Sequence, residues 1–497
     1  MSRQVQSTIL ISASMLLLLS ACPMSDKGYD TGAATWGDSY DDTVEDEEPV
    51  DTNDPQDDCD DETLVELFIS PDDSNSMSSP AMARDAVLAN WASLNNVALR
   101  TWEFMNYYGF DFERPGEGLA ITAALAPDPS GEEGAFIMQI GVTSPAVSKA
   151  DRDPMNLVFS LDTSGSMGGE PISLLRESCR AIAGQLREGD VVSMVTWNTG
   201  QSVVLNSLAV TGPDDEDLLD AINQLDANGG TDLNQGLISA YDLATANYDT
   251  DRINRVILIS DGGANAGITD KELIANHAEL EDGEGIYLMG VGVGSAGSYH
   301  DALMDTVTDE GKGAAVFIGS TEETEAIFTD RIIEVLDVAA RDVSVKLDLP
   351  PGFEITRFSG EEYSTDPREI EPQHLAPNDA MVFQQHLSSC APELLDENPE
   401  VTISVNWRDA VSFEGQSATF SATWSELLEA DRRLFWKGEA IFDYAEALKA
   451  HKAHGASSTE FELAFTVWEQ AQAEAEAMDP TDTDLAEVRQ VLSALAP

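Results

Sequence analysis

Three short segments carry oxygen-bearing side chains at spacings that could bind a hard metal ion. The first, DTSGSM, places Asp162, Ser164 and Ser166 directly after an apolar run. NGGTD places Thr231 just before a helical segment, and ISDG places Asp261 after another apolar run. Because ligands in open α/β sheets lie beyond the carboxyl ends of strands, these side chains are expected to converge. Carboxylates and hydroxyls favour a hard cation, Mg²⁺, Ca²⁺ or Mn²⁺, over zinc, which prefers His and Cys.

Other chemistries of these residues lack the partners they require. A phosphate-binding loop of the GxxxxGK[ST] type is absent from the sequence. A serine nucleophile at Ser164 or Ser166 has neither the GxSxG turn nor an obvious histidine partner. His451 and His454 have helical spacing, but a solvated helix face explains them better than a metal site. We therefore expect a binding protein rather than an enzyme, with a hydrolase active site in the flanking regions as an alternative.

The elements that must position the candidate ligands follow an alternating pattern from Asn156 to about Arg341. Apolar runs rich in β-branched residues alternate with segments of helical periodicity, which predicts a mostly parallel, doubly wound α/β sheet with helices on both faces. The predicted strands are NLVFSL, VVSMVTW, RVILIS, IYLMGVGVG and AAVFIG, with QSVVLNSLAV as an antiparallel edge strand. The predicted helices are ISLLRESCRAIAGQL, DEDLLDAINQL, LNQGLISAYDLATANY, DKELIANHAEL, YHDALMDTV and a final helix of about Glu322–Ala340.

The charge balance restricts the partners. The chain has 91 acidic and 26 basic residues among 497, a formal net charge of −65. Such a chain repels phosphate backbones, so nucleic-acid binding is excluded. Multivalent cations, basic partners and a saline habitat are all compatible with this charge.

The first residues predict export and lipidation. A short apolar run after Arg3 ends in the small residues that precede Cys22, which is typical of a signal peptide with a lipobox. The following segment is rich in Asp and Glu and predicts a disordered acidic linker. Of the other cysteines, Cys59, Cys179 and Cys390, at most one pair can form a disulfide, and Cys179 is expected to be a small buried apolar residue.

Composition and periodicity divide the chain into six ranges. Residues before and after the central sheet predict a mixed, aromatic-rich region with a helical pattern over Met82–Met105, then alternating strands, then amphipathic helices over Glu426–His451 and Thr459–Met478. The ranges are 1–22 (signal peptide with lipobox), 23–63 (disordered acidic linker), 64–153 (N-terminal flanking region), 154–341 (central α/β domain), 342–424 (small β domain) and 425–497 (C-terminal helical region).

The three candidate segments together resemble a known metal site. DTSGSM, GGTD and ISDG, in that chain order, look like the metal-ion-dependent adhesion site (MIDAS) of von Willebrand factor type A domains. The resemblance implies that Ser164, Ser166 and Thr231 coordinate a divalent cation, Mg²⁺ above all, through hydroxyls. It also implies that Asp162 and Asp261 act mainly through water molecules, and that an Asp or Glu of a protein partner completes the coordination shell.

The resemblance extends to a subgroup of bacterial lipoproteins with such a domain. RTWEFMNYYGFDF resembles the aromatic stretch of the subgroup's N-terminal segment, and LLEADRRLFWKGEAIFDYAEALK lies where the subgroup has C-terminal helices. The subgroup's acidic start is replaced here by ISPDDSNSM. The resemblance implies a cell-envelope adhesion or binding protein attached to a membrane through lipid on Cys22. The outer membrane is favoured because Pro23, and not an aspartate, follows Cys22. A structural or assembly role, in which the metal only stabilises the fold, is the alternative.

Overall fold

The structure is a computed structural model that describes residues 59–71, 75–89, 93–263 and 285–496. The predicted signal peptide, Cys22, most of the predicted acidic linker and the predicted helix DKELIANHAEL lie outside the described residues. All described residues belong to one compact unit of the chain.

A six-stranded sheet forms the centre of the candidate site's domain. Its strands are β4 (Met155–Asp162), β5 (Val191–Trp197), β6 (Gln201–Ala209), β7 (Ile253–Ser260), β8 (Tyr287–Val293) and β9 (Ala315–Ile318). Their order is β6-β5-β4-β7-β8-β9, and every neighbouring pair is parallel except β5 and β6. The predicted strands and the antiparallel edge are therefore confirmed. β4, β7 and β8 are buried at every position, as their continuous apolar runs predict.

Helices cover both faces of this sheet. They are α3 (Glu170–Ala183), α4 (Glu216–Asn223), α5 (Leu233–Ala246) and α6 (Asp301–Glu310). Alternate residues of β4 point to opposite sides: Val158 joins a core with Leu237 of α5, whereas Phe159 joins a core with Leu175 of α3. The sheet is thus doubly wound, as predicted.

The predicted final helix of about Glu322–Ala340 is wrong in its extent. The structure has two short helices, α7 (Thr321–Glu325) and α8 (Ile332–Leu336), joined by a π-helical turn. Asp337 then adopts an extended conformation (φ −107°, ψ 166°), and Ala340 already pairs with Leu375 in the next sheet. Strand pairing with a distant segment overrides the local helical pattern.

Two other helical predictions are longer than the elements observed. The pattern over Met82–Met105 is divided between α1 (Ser78–Arg84), which runs into a π-helical turn, and α2 (Thr101–Tyr107). The pattern over Glu426–His451 is interrupted at Ala430, whose ψ of 160° is extended.

Two further sheets pack against each other to form a sandwich. One contains β1 (Val65–Ser70), β10 (Ala340–Leu349), β12 (Glu362–Ser364), β13 (Gln373–Leu375), β15 (Glu400–Asp409) and β16 (Gly415–Thr423); the other contains β2 (Ala120–Pro127), β3 (Phe136–Thr143), β11 (Phe353–Phe358) and β14 (Ala380–Ser389). β1 pairs with β10, and β3 pairs with β14. The ranges 64–153 and 342–424 therefore contribute strands to the same two sheets, which share one apolar core.

The C-terminal range forms the helices α9 (Trp424–Glu429), α10 (Arg433–His454), α11 (Thr459–Met478) and α12 (Thr483–Leu495). Phe435 of α10 packs on Ile137 of β3, so this helix covers the outer face of the second sheet of the sandwich. None of the helices in the described part of the chain is long and apolar enough to cross a membrane.

A disulfide joins Cys59, in the last part of the predicted linker, to Cys390 after β14, across a sequence separation of 331 residues. Cys179 is a buried free thiol on α3. The cysteine prediction, of at most one pair with Cys179 as a buried apolar residue, agrees with this arrangement.

Candidate functional site

The carboxyl ends of β4 and β7 place two aspartates at one edge of the central sheet. The strands are parallel neighbours, with Leu161 opposite Ile259, so Asp162 and Ser260 terminate them side by side. Ser260 Oγ donates a hydrogen bond of 2.7 Å to Asp162 Oδ2, and both side chains are buried. Asp261 follows directly and is partly exposed. This is the edge at which ligands bind in open α/β sheets.

The loop after β4 folds back on its own aspartate. The backbone N–H of Ser164 donates to Asp162 Oδ1 at 2.8 Å. A single 3₁₀ turn, Gly165–Met167, then brings Ser166 beside Ser164, with their hydroxyl oxygens 3.0 Å apart. Ser164 is buried and Ser166 is exposed, so the pair extends from the floor of the site to its surface.

The loop that carries Thr231 is attached to the loop after β4 by backbone hydrogen bonds. Asn228 N–H donates to Thr163 O at 2.8 Å, and Gly165 N–H donates to Gly229 O at 3.2 Å. Gly229 has a φ of +83°, a conformation that favours glycine. Thr231 is half-buried two residues further on, and its hydroxyl bonds to no other residue within the described ranges.

Asp261 and Ser166 approach the same point of the backbone. Gly263 N–H donates to Asp261 Oδ1 at 2.9 Å, and a Cβ at Gly263 would lie 3.3 Å from Ser166 Oγ. Asp261 also contributes to the electrostatics of Asp162. Burial raises the pKa of the Asp162 carboxyl, hydrogen bonds from Ser260 and Ser164 lower it, and the charge of Asp261 raises it further.

The donor set fits a hard divalent cation. Two carboxylates and the Ser164 and Ser166 hydroxyls meet at one end of the sheet, and Thr231 lies on the loop bonded to them. A cation beside Asp162 would favour the ionised carboxylate that burial disfavours. Across the described ranges, no cluster of three or more His, Cys, Asp or Glu side chains could hold a metal. The candidate donor set is not such a cluster, because only two of its five side chains are carboxylates and the other three are hydroxyls.

Two contributors were not predicted from the sequence. Ser260 orients the carboxylate of Asp162, and its position at the end of RVILIS was the signal that could have identified it. Thr199, in the turn between β5 and β6, accepts a hydrogen bond of 2.7 Å from Gly230 N–H through its hydroxyl and so supports the Thr231 loop. Nothing in the local pattern of the NTG turn indicates this long-range contact.

Comparison with known proteins assigns the domain. Residues 156–330 match the model of the von Willebrand factor type A domain, so the chain contains a domain of this family. The match spans the central sheet from β4 to the π-helical turn after α7. Domains of this class typically mediate protein–protein interaction.

The relatives include proteins from bacteria and animals. The chain is 28% identical over 287 residues to an uncharacterised protein of Escherichia coli (strain K12), YfbK, covering 56% of this chain and 49% of that protein. It is 27% identical over 187 residues to the human inter-alpha-trypsin inhibitor heavy chain H2, covering 36% of this chain and 20% of that protein. The chain thus spans half or less of the length of these relatives.

Among solved structures, a von Willebrand factor type A protein from Catenulispora acidiphila matches 74% of this chain and 89% of its own, with a TM-score of 0.46 and 15% identity.

Proposed function

We propose that this protein is a lipid-anchored cell-envelope protein that binds a protein partner through a divalent cation, with Mg²⁺ preferred and Ca²⁺ or Mn²⁺ as alternatives. The ligands we propose are Asp162, Ser164, Ser166, Thr231 and Asp261. The observation that supports this most strongly is the buried Asp162 carboxylate, which accepts hydrogen bonds from Ser260 and Ser164 at the end of β4.

Each residue has a distinct proposed task. Asp162 and Asp261 supply the negative charge, while Ser164, Ser166 and Thr231 supply neutral oxygens, so the donor set carries two formal charges. When bound, the cation supplies an electrophilic centre that a carboxylate oxygen of the partner can ligate. Ser260 and the backbone N–H of Ser164 hold the Asp162 carboxylate in one orientation, which reduces the entropy lost on binding.

Two observations support a location outside the cytoplasm. The sequence before Cys22 is typical of a lipoprotein signal, and lipid on this cysteine would attach the chain to the membrane, the outer membrane by preference. The Cys59–Cys390 disulfide is typical of oxidising compartments such as the periplasm or cell surface. A Cys22→Ser variant should move from the membrane fraction to the soluble fraction after export. Retention in the membrane fraction would contradict the anchor.

The metal site is tested first by binding of MgCl₂ to the purified chain, measured by calorimetry. We expect Asp162→Ala and Thr231→Ala to weaken binding at least tenfold. Thr245→Ala on α5 is the matched control, because Thr245 is exposed and remote from the ligand loops in sequence. Unchanged Mg²⁺ affinity in Asp162→Ala would contradict the assignment.

The function of the site is tested by crosslinking and pull-down from the cell envelope, with and without EDTA. A partner captured by the wild type and the Thr245→Ala variant, but lost with EDTA or in Thr231→Ala, is the expected result. An identical partner set in all conditions would overturn metal-bridged binding. If Asp162→Ala loses Mg²⁺-dependent thermal stabilisation but keeps its partners, the metal has a structural role only. Turnover of a substrate that is insensitive to Asp162→Ala would indicate a hydrolase site in the flanking regions.

A further inference from the structure

β2 and β16 are edge strands of the β-sandwich. In the described part of the chain, β2 pairs with β3 alone and β16 pairs with β15 alone, so each terminates its sheet. An edge strand leaves alternate N–H and C=O groups without a strand partner, and proteins normally shorten, cover or charge such edges. Here the two edges lie next to each other, one from each sheet of the sandwich.

A groove of about 810 Å³ lies between these edges. Its lining combines apolar side chains from the inner faces of the two sheets, which form the floor, with the polar side chains of Thr122, Gln139 and Ser421. The side chains of this inner face that line the groove are only half-buried, although they pack on the sandwich core: Ile121, Ala123, Phe420 and Ala422. Burial of these side chains by a ligand would remove apolar surface from water.

The groove contacts only a short part of β2. The residues of this strand that line it are Ile121–Ala124. At the rise of an extended strand, four residues span about 13 Å. An added strand would therefore contact the groove over about four to five of its residues.

The rim of the groove is acidic. Its charged lining residues are Asp111, Glu113, Glu426, Asp431 and Arg433. Arg433 is already engaged, since its guanidinium donates to the backbone O of Asp111 at 3.2 Å. The rim thus attracts basic side chains and repels acidic ones. A second copy of this chain, with its net charge of −65, and its own acidic segment before Cys59 are both disfavoured as occupants.

We propose that this groove binds a short extended segment of a partner protein in which apolar and basic side chains alternate. The segment adds as a strand to the edge of β2, places its apolar side chains between the two sheets and directs its Lys or Arg side chains to the rim. Main-chain hydrogen bonds provide affinity, and the apolar floor and acidic rim provide specificity. This surface belongs to the β-sandwich and uses none of the proposed metal ligands.

The test uses the full chain and a fluorescent peptide with the sequence Lys-Val-Lys-Val-Lys-Val, capped at both ends, followed by anisotropy. We expect saturable binding that persists in EDTA and weakens several-fold at high salt. A peptide with Glu in place of Lys, and one with Pro in place of alternate Val, should each bind at least tenfold more weakly. Persistence in EDTA separates this site from the metal site, so each proposal can fail without the other.

Three variants locate the binding. Ala422→Trp fills the groove and should abolish binding, whereas Thr419→Trp places the same side chain on the outward face of β16 and should not. Asp111→Asn combined with Glu113→Gln removes two rim charges from exposed side chains and should weaken binding at least threefold. All three variants are checked for unchanged Mg²⁺ binding and thermal unfolding.

Two outcomes would overturn the proposal: equal binding of the Lys and Glu peptides, or unchanged binding in both Ala422→Trp and the Asp111→Asn, Glu113→Gln double variant. A peptide of this chain's own residues 41–50 that binds more tightly than the Lys peptide would assign the groove to the acidic segment instead. Self-association that Ala422→Trp abolishes would assign it to a second copy.

Discussion

Ser260 Oγ donates a 2.7 Å hydrogen bond to Asp162 Oδ2, although the two residues are 98 positions apart in the chain. The contact exists because β4 and β7 are parallel neighbours that end at the same level. It fixes one oxygen of the Asp162 carboxylate, and the backbone N–H of Ser164 fixes the other at 2.8 Å. The carboxylate is thus oriented before any ligand arrives.

Removal of the Ser260 hydroxyl should loosen this orientation without removing a proposed ligand. We expect Ser260→Ala to weaken Mg²⁺ binding about tenfold, the lower end of the range for residues that orient metal ligands. Calorimetric titration with MgCl₂ measures the effect.

Ser178→Ala is the matched control for Ser260→Ala. Ser178 is equally buried, lies on α3 of the same domain, and its hydroxyl makes no hydrogen bond to the described residues. We expect its Mg²⁺ affinity to equal that of the wild type. If both serine variants lost affinity equally, the effect would come from general loosening of the domain.

The Thr231 loop should depend on the conformation of one glycine. Gly229 has a φ of +83°, and a Cβ there would lie 2.8 Å from Thr199 Oγ1. We expect Gly229→Ala to shift the loop, weaken Mg²⁺ binding at least fivefold and lower the Tm by a few degrees. The neighbouring Gly230→Ala is the control, since its Cβ would meet Thr199 Oγ1 at an ordinary 3.4 Å. Equal affinities of the two variants would show that Gly229 does not determine the position of Thr231.

The sequence predicts the central sheet well because its signals are local and strong. Buried parallel strands read as continuous apolar runs, and all six segments proposed as strands, such as NLVFSL and RVILIS, form them. Asp162 and Asp261 could be placed at one edge because parallel strands end together. The approach of the Thr231 loop rests on backbone hydrogen bonds from Asn228 and to Gly229, which no periodicity reveals.

The strand pairing of the flanking regions could not be predicted from local sequence patterns. β1 pairs with β10, with Val65 opposite Leu349, so a strand that precedes the central domain shares a sheet with one that follows it. Such pairing is decided by long-range burial in a common core, not by propensity. The helix predicted over about Glu322–Ala340 fails for the same reason, since Ala340 is recruited into β10. The contacts of buried polar side chains such as His386 could not be predicted from the sequence either, because their partners come from separate segments of the chain.

The disulfide should contribute measurably to stability. It connects Cys59, which precedes β1, to Cys390 across 331 residues, so it restricts a very long loop of the unfolded chain. We expect Cys59→Ser to lower the free energy of unfolding by about 2–4 kcal/mol. Urea titration of the wild type with and without dithiothreitol measures the same difference.

The Cys59→Ser variant is also the control for the reductant, which should have no further effect on it. A peptide that links Cys59 to Cys390 should appear in a non-reducing digest, with Cys179 as an alkylatable thiol after denaturation. A wild-type midpoint insensitive to dithiothreitol, despite confirmed reduction, would contradict the stabilising role.

A buried ionic cluster should make stability depend on pH. His386 of β14 lies between two carboxylates: Nδ1 is 3.0 Å from Asp128 Oδ2, and Nε2 is 2.8 Å from Glu439 Oε1 of α10. Arg357 of β11 donates to Asp443 Oδ1 of α10 at 2.8 Å. The cluster joins the second sheet of the sandwich to the helix that covers it.

The two pKa shifts in this cluster act in the same direction. Burial lowers the pKa of His386, but the hydrogen bond and charge of Glu439 outweigh it and raise the pKa above its usual value. Burial and the charge of Glu439 raise the pKa of the Asp443 carboxyl against the opposing effect of Arg357. In both cases the folded protein binds protons more tightly than the unfolded chain, so stability is present at low pH and is lost as pH rises through the folded pKa.

We therefore expect His386→Gln to lower the Tm at pH 5.5 by at least about 2 °C, and by less at pH 8.5, because the contribution of the charged imidazole is lost as the pH rises through its raised pKa. The exposed His454→Gln on α10 is the matched control and should follow the wild type at every pH. Differential scanning calorimetry over pH 5.5–8.5 provides the comparison, in which the pH dependence common to all three proteins cancels. A Tm difference between wild type and His386→Gln that stays constant or grows with pH would show that His386 is neutral in the folded protein. The hydrogen bonds to Asp128 and Glu439 would then act without the imidazolium charge.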